Sequence, residues 1–363
     1  DASVDASALA KYQRFAGDDA TRRDAIHRVA QAAPAVALAT RGGYGLTRLL
    51  DTLDFKQIAH SVEQGTAWVG YSDVTALQLA ALAHKATGPA KPGEGVSAGF
   101  WAGPMACDDF GRDDSPEGGD DVTQGCFVEA MTGELEAVGF RTEAGFDGLD
   151  VVGRLWGGNL AVTQALLGTP HFPKIKNGVL FLEDVNEHPY RIERALLQLH
   201  QAGVLDSQRA IVLGAFTEYR RSPLDRGYTL KTVIHYLREL TQVPILTGLP
   251  FGHVPVNLSL PLGRQVNLVM AALTVNVSVK PSSCGDGVHA AFRKFLGSHG
   301  QGDRVWRGDC LHRGLQQQPL CRRGIARQHA VHRLQRALAP VSGPDLVLQQ
   351  QRDSVHLPNL RTA

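Results

Sequence analysis

The chain runs to 363 residues, long enough for two ordinary domains and a sizeable core. Its 37 Lys and Arg nearly balance 36 Asp and Glu, and a formal net charge of +1 argues against a nucleic-acid or membrane-surface partner. Five cysteines (Cys107, Cys126, Cys284, Cys310 and Cys321) show no CxxC or Cys/His zinc spacing, and their odd number and wide scatter do not read as a disulfide framework. Reduced thiols in a cytoplasmic protein are the expectation.

In chain order, Asp19-Ala20-Thr21-Arg22 can cap a helix running to about Gln31, with Ile26, Val29 and Ala30 on its apolar side. Ala35 to Ala39 is a short apolar run of the kind a buried parallel strand needs. It ends in Arg41-Gly42-Gly43-Tyr44-Gly45, after which a helix starts near Leu46 to Leu50. Ala67-Trp68-Val69-Gly70 is a second strand. Ser72 follows, and Asp73 to Lys85 reads as a helix with Val74, Leu77 and Ala81 at i, i+3 and i+7. Two strand–turn–helix units in a row predict a parallel sheet flanked by helices.

The stretch from Thr87 to about Leu149 is rich in Gly, Pro and Asp and includes Pro116-Glu117-Gly118-Gly119-Asp120-Asp121. It reads as an interdomain connection with an exposed acidic loop. Order returns with Val151 to Leu155 and a helix from about Asn159. A strand at Gly178 to Leu182 and a helix from Arg191 to Ala202 come next, then a strand at Ala210 to Gly214 and a helix over Thr229 to Leu240. Pro244 to Thr247 leads into a histidine loop, and Val266 to Val269 and Leu273 to Val277 close the pattern as β-strands. No apolar run reaches the ~20 residues that span a bilayer, and the opening Asp1-Ala2-Ser3-Val4-Asp5 lacks secretory character.

After Lys280 the pattern fails. Residues 281–363 hold eleven Arg and one Lys against five Asp, a net of +7, which leaves −6 for the rest. The expected division is 1–115 as an N-terminal α/β domain, 116–149 as a connection and 150–280 as a C-terminal domain. The remainder, 281–363, is expected to be an atypical basic tail, disordered or out of frame.

Three short stretches carry chemistry: Gly70-Tyr71-Ser72-Asp73, Leu182-Glu183-Asp184 and Gly252-His253. Each follows an apolar run, at the end where an α/β sheet opens to substrate. A hydroxyl, a carboxylate and an imidazole are the parts of a serine hydrolase, and the order Ser, Glu, His is neither that of chymotrypsin nor that of subtilisin. A sharp strand-to-helix turn exposes a serine and supplies oxyanion donors. Ser72 has that setting, with the Asp73 N–H at the new helix and a second donor available from Gly42-Gly43. His253 lies in Pro250-Phe251-Gly252-His253-Val254-Pro255, too proline-rich for a helix or central strand, as suits a loop base. Glu183 can fix its tautomer, with Asp184, Glu187 and Glu193 as competing carboxylates. Arg41-Gly42-Gly43-Tyr44-Gly45 lacks the spacings of a nucleotide-binding loop.

Taken together, five blocks resemble the LD-carboxypeptidases, a serine peptidase family that includes muramoyltetrapeptide carboxypeptidase. They are Ala39 to Leu50, Val69 to Leu77, Gly153 to Leu160, Phe181 to Ile192 and Thr247 to His253, in order between about Tyr12 and Val279. The resemblance implies Ser72 as nucleophile, His253 as general base, Glu183 as its orienting partner, and an oxyanion hole from the N–H groups of Gly43 and Asp73. It implies removal of the terminal D-alanine from murein tetrapeptide in peptidoglycan recycling, without metal or other cofactor, by a cytoplasmic homodimer. The implied fold is a flavodoxin-like N-terminal domain, here short of its first strand–helix unit, plus a smaller β-rich α+β C-terminal domain. Arg41, Arg154 and Trp156 are candidate substrate contacts, an arginine being suited to hold a terminal carboxylate. The same motifs would serve a microcin C immunity-type peptidase acting on a peptidyl-nucleotide, or persist in a truncated, non-catalytic product.

Overall fold

A computed structural model of the chain describes residues 3–8, 10–87, 98–111, 120–271 and 274–279. Helix α1 (Asp19–Ala32) starts one residue later than its cap: the Asp18 carboxylate accepts from the Thr21 N–H at 2.7 Å, so Asp18 rather than Asp19 closes the first turn. Strand β1 (Val36–Leu38) feeds the glycine loop, which runs on into two short 3₁₀ turns at Leu46–Arg48 and Leu50–Thr52 instead of the expected helix. Helix α2 (Phe55–Glu63), capped by Asp54, buries Ile58, Ser61 and Val62. Strand β2 (Ala67–Gly70) is buried throughout and ends at the Ser72–Val74 3₁₀ turn, which runs straight into helix α3 (Thr75–Ala83).

Almost every residue of α3 is buried, from Thr75 to Leu82, as an apolar helix with no solvent face requires. Its one long polar core residue, Gln78, donates to the Gly70 and Trp101 carbonyls at 2.7 and 2.9 Å and so ties the helix to the ends of two strands. The far end of α3 is clipped by a histidine pair. His171 Nε2 bonds Asp51 Oδ1 at 2.8 Å, and its Nδ1 meets His84 Nε2 at 3.0 Å, so the partners assign His84 as donor.

Strand β3 (Gly99–Ala102) completes a parallel run β1-β2-β3. Helix α4 (Asp121–Thr132) and strand β4 (Ala137–Arg141) follow, then β5 (Asp150–Asn159), α5 (Leu160–Leu166), β6 (Val179–Val185), α6 (Pro189–Gln201) and β7 (Ala210–Thr217). The last elements are α7 (Leu230–Leu240), β8 (Ile245–Leu246), β9 (Leu260–Leu262), β10 (Gln265–Ala271) and β11 (Thr274–Val279). Strand β9 adds antiparallel to β3, giving a four-stranded sheet β1-β2-β3-β9. The second sheet has order β4-β11-β10-β5-β6-β7-β8, antiparallel from β4 to β5 and parallel from β5 to β8. The ten-residue β5 makes this possible, pairing with β10 through Asp150 to Arg154 and with β6 through Leu155 to Asn159. Both faces of its second half are covered, and Leu155, Trp156, Leu180, Phe181 and Leu182 are all buried there.

The expectation of a parallel sheet flanked by helices holds, and a second sheet is present. That second sheet has seven strands against four in the first among the described residues, because β5 recruits a parallel β–α–β run as well as the closing β-strands. The stretch 116–149, expected as an interdomain connection, carries α4 and β4, with Asp120 capping the helix through the Thr123 N–H and Gly133 ending it at φ 76°. The basic stretch 281–363, with Cys284, Cys310 and Cys321, lies outside the described residues. Among the described residues, Cys107 and Cys126 are free thiols, and no helix is long and apolar enough to cross a membrane.

Candidate active site

Ser72 is held at φ 60°, the left-handed region that a side chain enters at a cost. The strand before it and the helix after it are both fully packed, which holds that strained turn in place. The glycine loop comes against it. A Cβ built on Gly42 would lie 2.8 Å from Ser72 Oγ, so only glycine lets this backbone approach the hydroxyl. Gly43 follows at φ 126° with open space beside it. Asp73, considered above only for its N–H, does more: its carboxylate accepts from the Leu46 N–H at 2.9 Å and so pins the glycine loop to the serine turn. Burial pushes the Asp73 carboxyl up, against the opposing pull of the Leu46 and Gly45 N–H groups.

The other wall of the glycine loop is the turn Ala106–Phe110. Its Ala106 and Cys107 N–H groups donate to the Ala39 and Thr40 carbonyls at 3.0 and 2.8 Å, and Asp108 Oδ2 accepts from the Gly42 N–H at 3.3 Å.

Glu183 sits in β6 with no solvent exposure. Its Oε2 meets His253 Nδ1 at 2.9 Å and its Oε1 accepts from Asn159 Nδ2 at 3.0 Å, so both carboxylate oxygens are satisfied. The same Asn159 amide donates to Asp184 Oδ1 at 3.0 Å. Asp184 also accepts from the Ala161 N–H at the start of α5. Burial first, and then the neighbouring Glu183 charge, raises the Asp184 carboxyl to about 6. Of the four carboxylates open on sequence grounds, Glu183 is the one bonded to His253. Asp184 caps α5, Glu187 pairs with Arg191 at 3.6 Å and Glu193 accepts from Tyr228 Oη at 2.6 Å.

His253 is half-buried. Burial disfavours its cation, yet the Glu183 hydrogen bond and the charges of Glu183, Asp184 and Asp108 outweigh that, and its pKa is raised above the ordinary imidazole value. With Nδ1–H directed to Glu183, Nε2 is left as the proton acceptor, an assignment made from the partner. The Tyr71 ring stands edge-on to the imidazole at 5.0 Å between centroids, which sets the residue before Ser72 against the histidine loop. Among the described residues no hydrogen bond joins Ser72 directly to His253.

Gly252 is the hinge of this contact. Its φ is 121°, and a Cβ there would lie 2.8 Å from Glu183 Oε2. Gly252→Ala is expected to cost about 1–2 kcal/mol in backbone strain alone and to push the imidazole off its carboxylate. A fall in Tm together with loss of the downfield Nδ1–H proton signal would record both effects.

Three residues proposed as substrate contacts fare differently. Arg41 is exposed beside the glycine loop. Trp156 is 0 % exposed, its indole N–H bonded to Gln208 Oε1 at 2.9 Å and its ring edge-on to Phe172 at 5.8 Å, so it is a core residue. Arg154 lies five residues before Asn159 on β5, about 16 Å away along an extended strand. It therefore sits towards the opposite end of the sheet from Glu183. Sequence reasoning missed Asn159, which its motif marked only as a helix start, and the side chain of Asp73. No group of three or more His, Cys, Asp or Glu with metal-holding geometry occurs among the described residues.

The profile of the LD-carboxypeptidase N-terminal domain matches residues 1–88, and that of the LD-carboxypeptidase C-terminal domain matches residues 152–268. The murein tetrapeptide carboxypeptidase of Pseudomonas aeruginosa is 29 % identical over 263 residues, which cover 71 % of this chain and 80 % of that protein. The crystal structure of muramoyltetrapeptide carboxypeptidase from Oxalobacter formigenes is 38 % identical with a TM-score of 0.65, over 75 % of this chain and 88 % of the other. A microcin C7 self-immunity protein, solved with glutamyl sulfamoyl guanosine, aligns with a TM-score of 0.61 over 76 % of this chain and 86 % of its own. At 22 % identity that likeness speaks for the fold alone.

Proposed function

Because the chain belongs to the LD-carboxypeptidase family, we propose that it is a serine carboxypeptidase that releases the terminal D-alanine from murein tetrapeptides. The observation that carries the reading is the 2.9 Å contact between His253 Nδ1 and a Glu183 carboxylate with no exposure to solvent. A buried carboxylate at that distance does for an imidazole what a triad acid does: it fixes the tautomer and supports the cation formed when the base takes a proton.

The chemistry then follows from the parts. His253 Nε2 takes the Ser72 proton as Oγ attacks the carbonyl of the L-to-D peptide bond. The developing oxyanion is received by the N–H groups of Gly43 and Asp73, in a site whose donors are held before the reaction begins. Collapse of the tetrahedral adduct breaks the C–N bond, His253 returns the proton to the departing amine, and D-alanine leaves. Water, deprotonated by the same imidazole, then hydrolyses the acyl-enzyme. The hydrogen bond between Ser72 and His253 closes in the substrate complex, as catalytic hydrogen bonds commonly do. Arg41 is the residue we assign to the substrate's terminal carboxylate. The same reading takes 1–115 as a flavodoxin-like nucleophile domain and 150–280 as the domain that brings Glu183 and His253. It takes the protein as a cytoplasmic homodimer.

The test is release of D-alanine from UDP-MurNAc-tetrapeptide, with a peptidyl-nucleotide as the comparison substrate. Preference for the tetrapeptide is expected, and cleavage of the nucleotide conjugate alone would overturn the assignment. The pH dependence has a definite sign. A base must be neutral to act, and this imidazole holds its proton more tightly than a free one. The acid limb of kcat/KM is therefore expected to have its midpoint above 6.5. Its contribution to stability runs the other way, being fully present below about pH 6.5 and lost as pH rises through the folded pKa.

A further inference from the structure

Asn257 lies four residues beyond His253 and is 0 % exposed. Its amide is used at both ends. Oδ1 accepts from the Gly252 N–H at 3.3 Å, and Nδ2 donates to Asp109 Oδ1 at 3.3 Å. Its own backbone N–H donates to Thr123 Oγ1 at 2.9 Å, which fixes the residue in place from the α4 side. The second Asp109 oxygen accepts from the Met105 N–H at 2.7 Å. Met105 opens the turn whose Ala106 and Cys107 bond the Ala39 and Thr40 carbonyls and whose Asp108 holds the Gly42 N–H.

One buried amide therefore stands between the two loops that meet at the reaction centre. On one side is Gly252, whose Cα faces the Glu183 carboxylate and whose next residue is His253. On the other is the turn that walls the glycine loop beside Ser72. The polarity of the amide is dictated by its partners, since a backbone N–H can only donate and an ionised carboxylate can only accept. Few side chains satisfy both at once: an Asp in its place has no donor for Asp109, and a Leu has neither function. A buried pair left half-satisfied carries the full desolvation cost of the orphaned group.

We propose that Asn257, acting through Asp109, is a positioning residue that sets the histidine loop against the glycine loop and so holds His253 Nε2 at its working distance from Ser72. The inference rests on the catalytic reading given above for its kinetic consequence, but its geometric part does not need substrate. Displacement of a catalytic group by about 1 Å costs roughly 10²-fold in rate. The loss should fall on kcat, because neither residue is placed to touch substrate.

The experiment uses three variants of the full chain. In Asp109→Asn, the Met105 N–H, the two amides and the Gly252 N–H cannot all be paired, since whichever way the amides turn two donors face each other at one of the three contacts. In Asn257→Asp, two carboxyl groups face each other across the same gap. In the double variant Asp109→Asn/Asn257→Asp the donor and acceptor are exchanged. The new amide at position 109 can accept from the Met105 N–H and donate to the new carboxylate at position 257, which still accepts from Gly252. Each single variant is expected to lose between about 10-fold and 10²-fold in kcat with little change in KM, and the double to recover most of it. Asn257→Asp should also regain activity relative to the parent as the pH falls, because one shared proton restores a donor between the carboxyls. The downfield His253 Nδ1–H proton signal should weaken in the singles and return in the double. A single variant with wild-type kcat and an unchanged imidazole signal overturns the proposal, and so does a double variant that stays as impaired as the singles. If either single variant fails to fold, the other single and the double decide by the same comparison. Should the unmodified protein release no D-alanine, the catalytic reading fails, while the imidazole signal still decides the positioning claim.

Discussion

Ser72→Ala is expected to lower kcat/KM for D-alanine release by about 10⁴-fold or more, with the fold intact. Removal of one oxygen leaves a small side chain in a turn that is already set by its neighbours. The left-handed backbone at φ 60° is held by buried β2 on one side and buried α3 on the other, not by the hydroxyl. The Tm should therefore stay near the parent value, and crowding by Gly42 is relieved rather than worsened. A phosphonate or sulfonyl fluoride probe that labels the parent protein should leave this variant unlabelled. Release that continues unchanged in Ser72→Ala would remove the nucleophile, and with it the proposed mechanism.

The second large effect is expected at Glu183. Glu183→Gln keeps the volume of a side chain that has no room to move, and it keeps one acceptor for Asn159 or for His253. What it loses is the charge, and with it the preference for the Nδ1–H tautomer. An amide NH₂ can face Nδ1 only if Nδ1 is the acceptor, which places the proton on Nε2, where it blocks removal of the serine proton. A loss of about 10³- to 10⁴-fold in kcat is expected, the scale seen when a triad carboxylate becomes an amide. Because Ser72 and His253 act as one unit with Glu183, combining Glu183→Gln with Ser72→Ala should add almost nothing to the loss from Ser72→Ala alone. Additive losses would mean that Glu183 serves the fold and not the reaction. The acid limb should also shift in this variant: the hydrogen bond and charge that raise the imidazole pKa are gone, and burial, which lowers it, remains.

Much of this geometry was legible in the residues, and the reasons are specific. Ala67 to Gly70 is apolar, short and followed by a serine and a long apolar run, so strand, turn and buried helix could each be placed with little ambiguity. The histidine loop announced itself through its prolines. Other features left no such trace. Helix α4 has Gly125 in its interior and a glycine-rich approach, so its sequence looks like a connection; beyond its caps it is held by contacts to the Pro255 to Ser259 segment, which lies far along the chain. Strand β3 is four residues long beside a Gly- and Pro-rich stretch, below the length at which alternation can be read. The burial of Trp156 was illegible for a related reason. Where a strand is covered on both faces, period-two alternation no longer separates inside from outside, and a motif residue can be core. Asn159 was recognisable as a helix cap, and it is one, with its Oδ1 accepting from the Val162 N–H at 3.1 Å. Its second task, holding Glu183 and Asp184 with one amide, depends on the pairing of Asn159 with Glu183 across β5 and β6, which no local pattern encodes.

The path of the chain around His253 has a consequence of its own. From β8, at the edge of the seven-stranded sheet, the backbone crosses to β9 in the four-stranded sheet and returns at once to β10. The imidazole thus hangs on a span moored on two separate banks, while its carboxylate partner stands on one and the serine on the other. A small slip between the banks would reach the span before it broke either sheet. Catalysis should therefore be the first property this protein surrenders under mild stress and the last it recovers on renaturation.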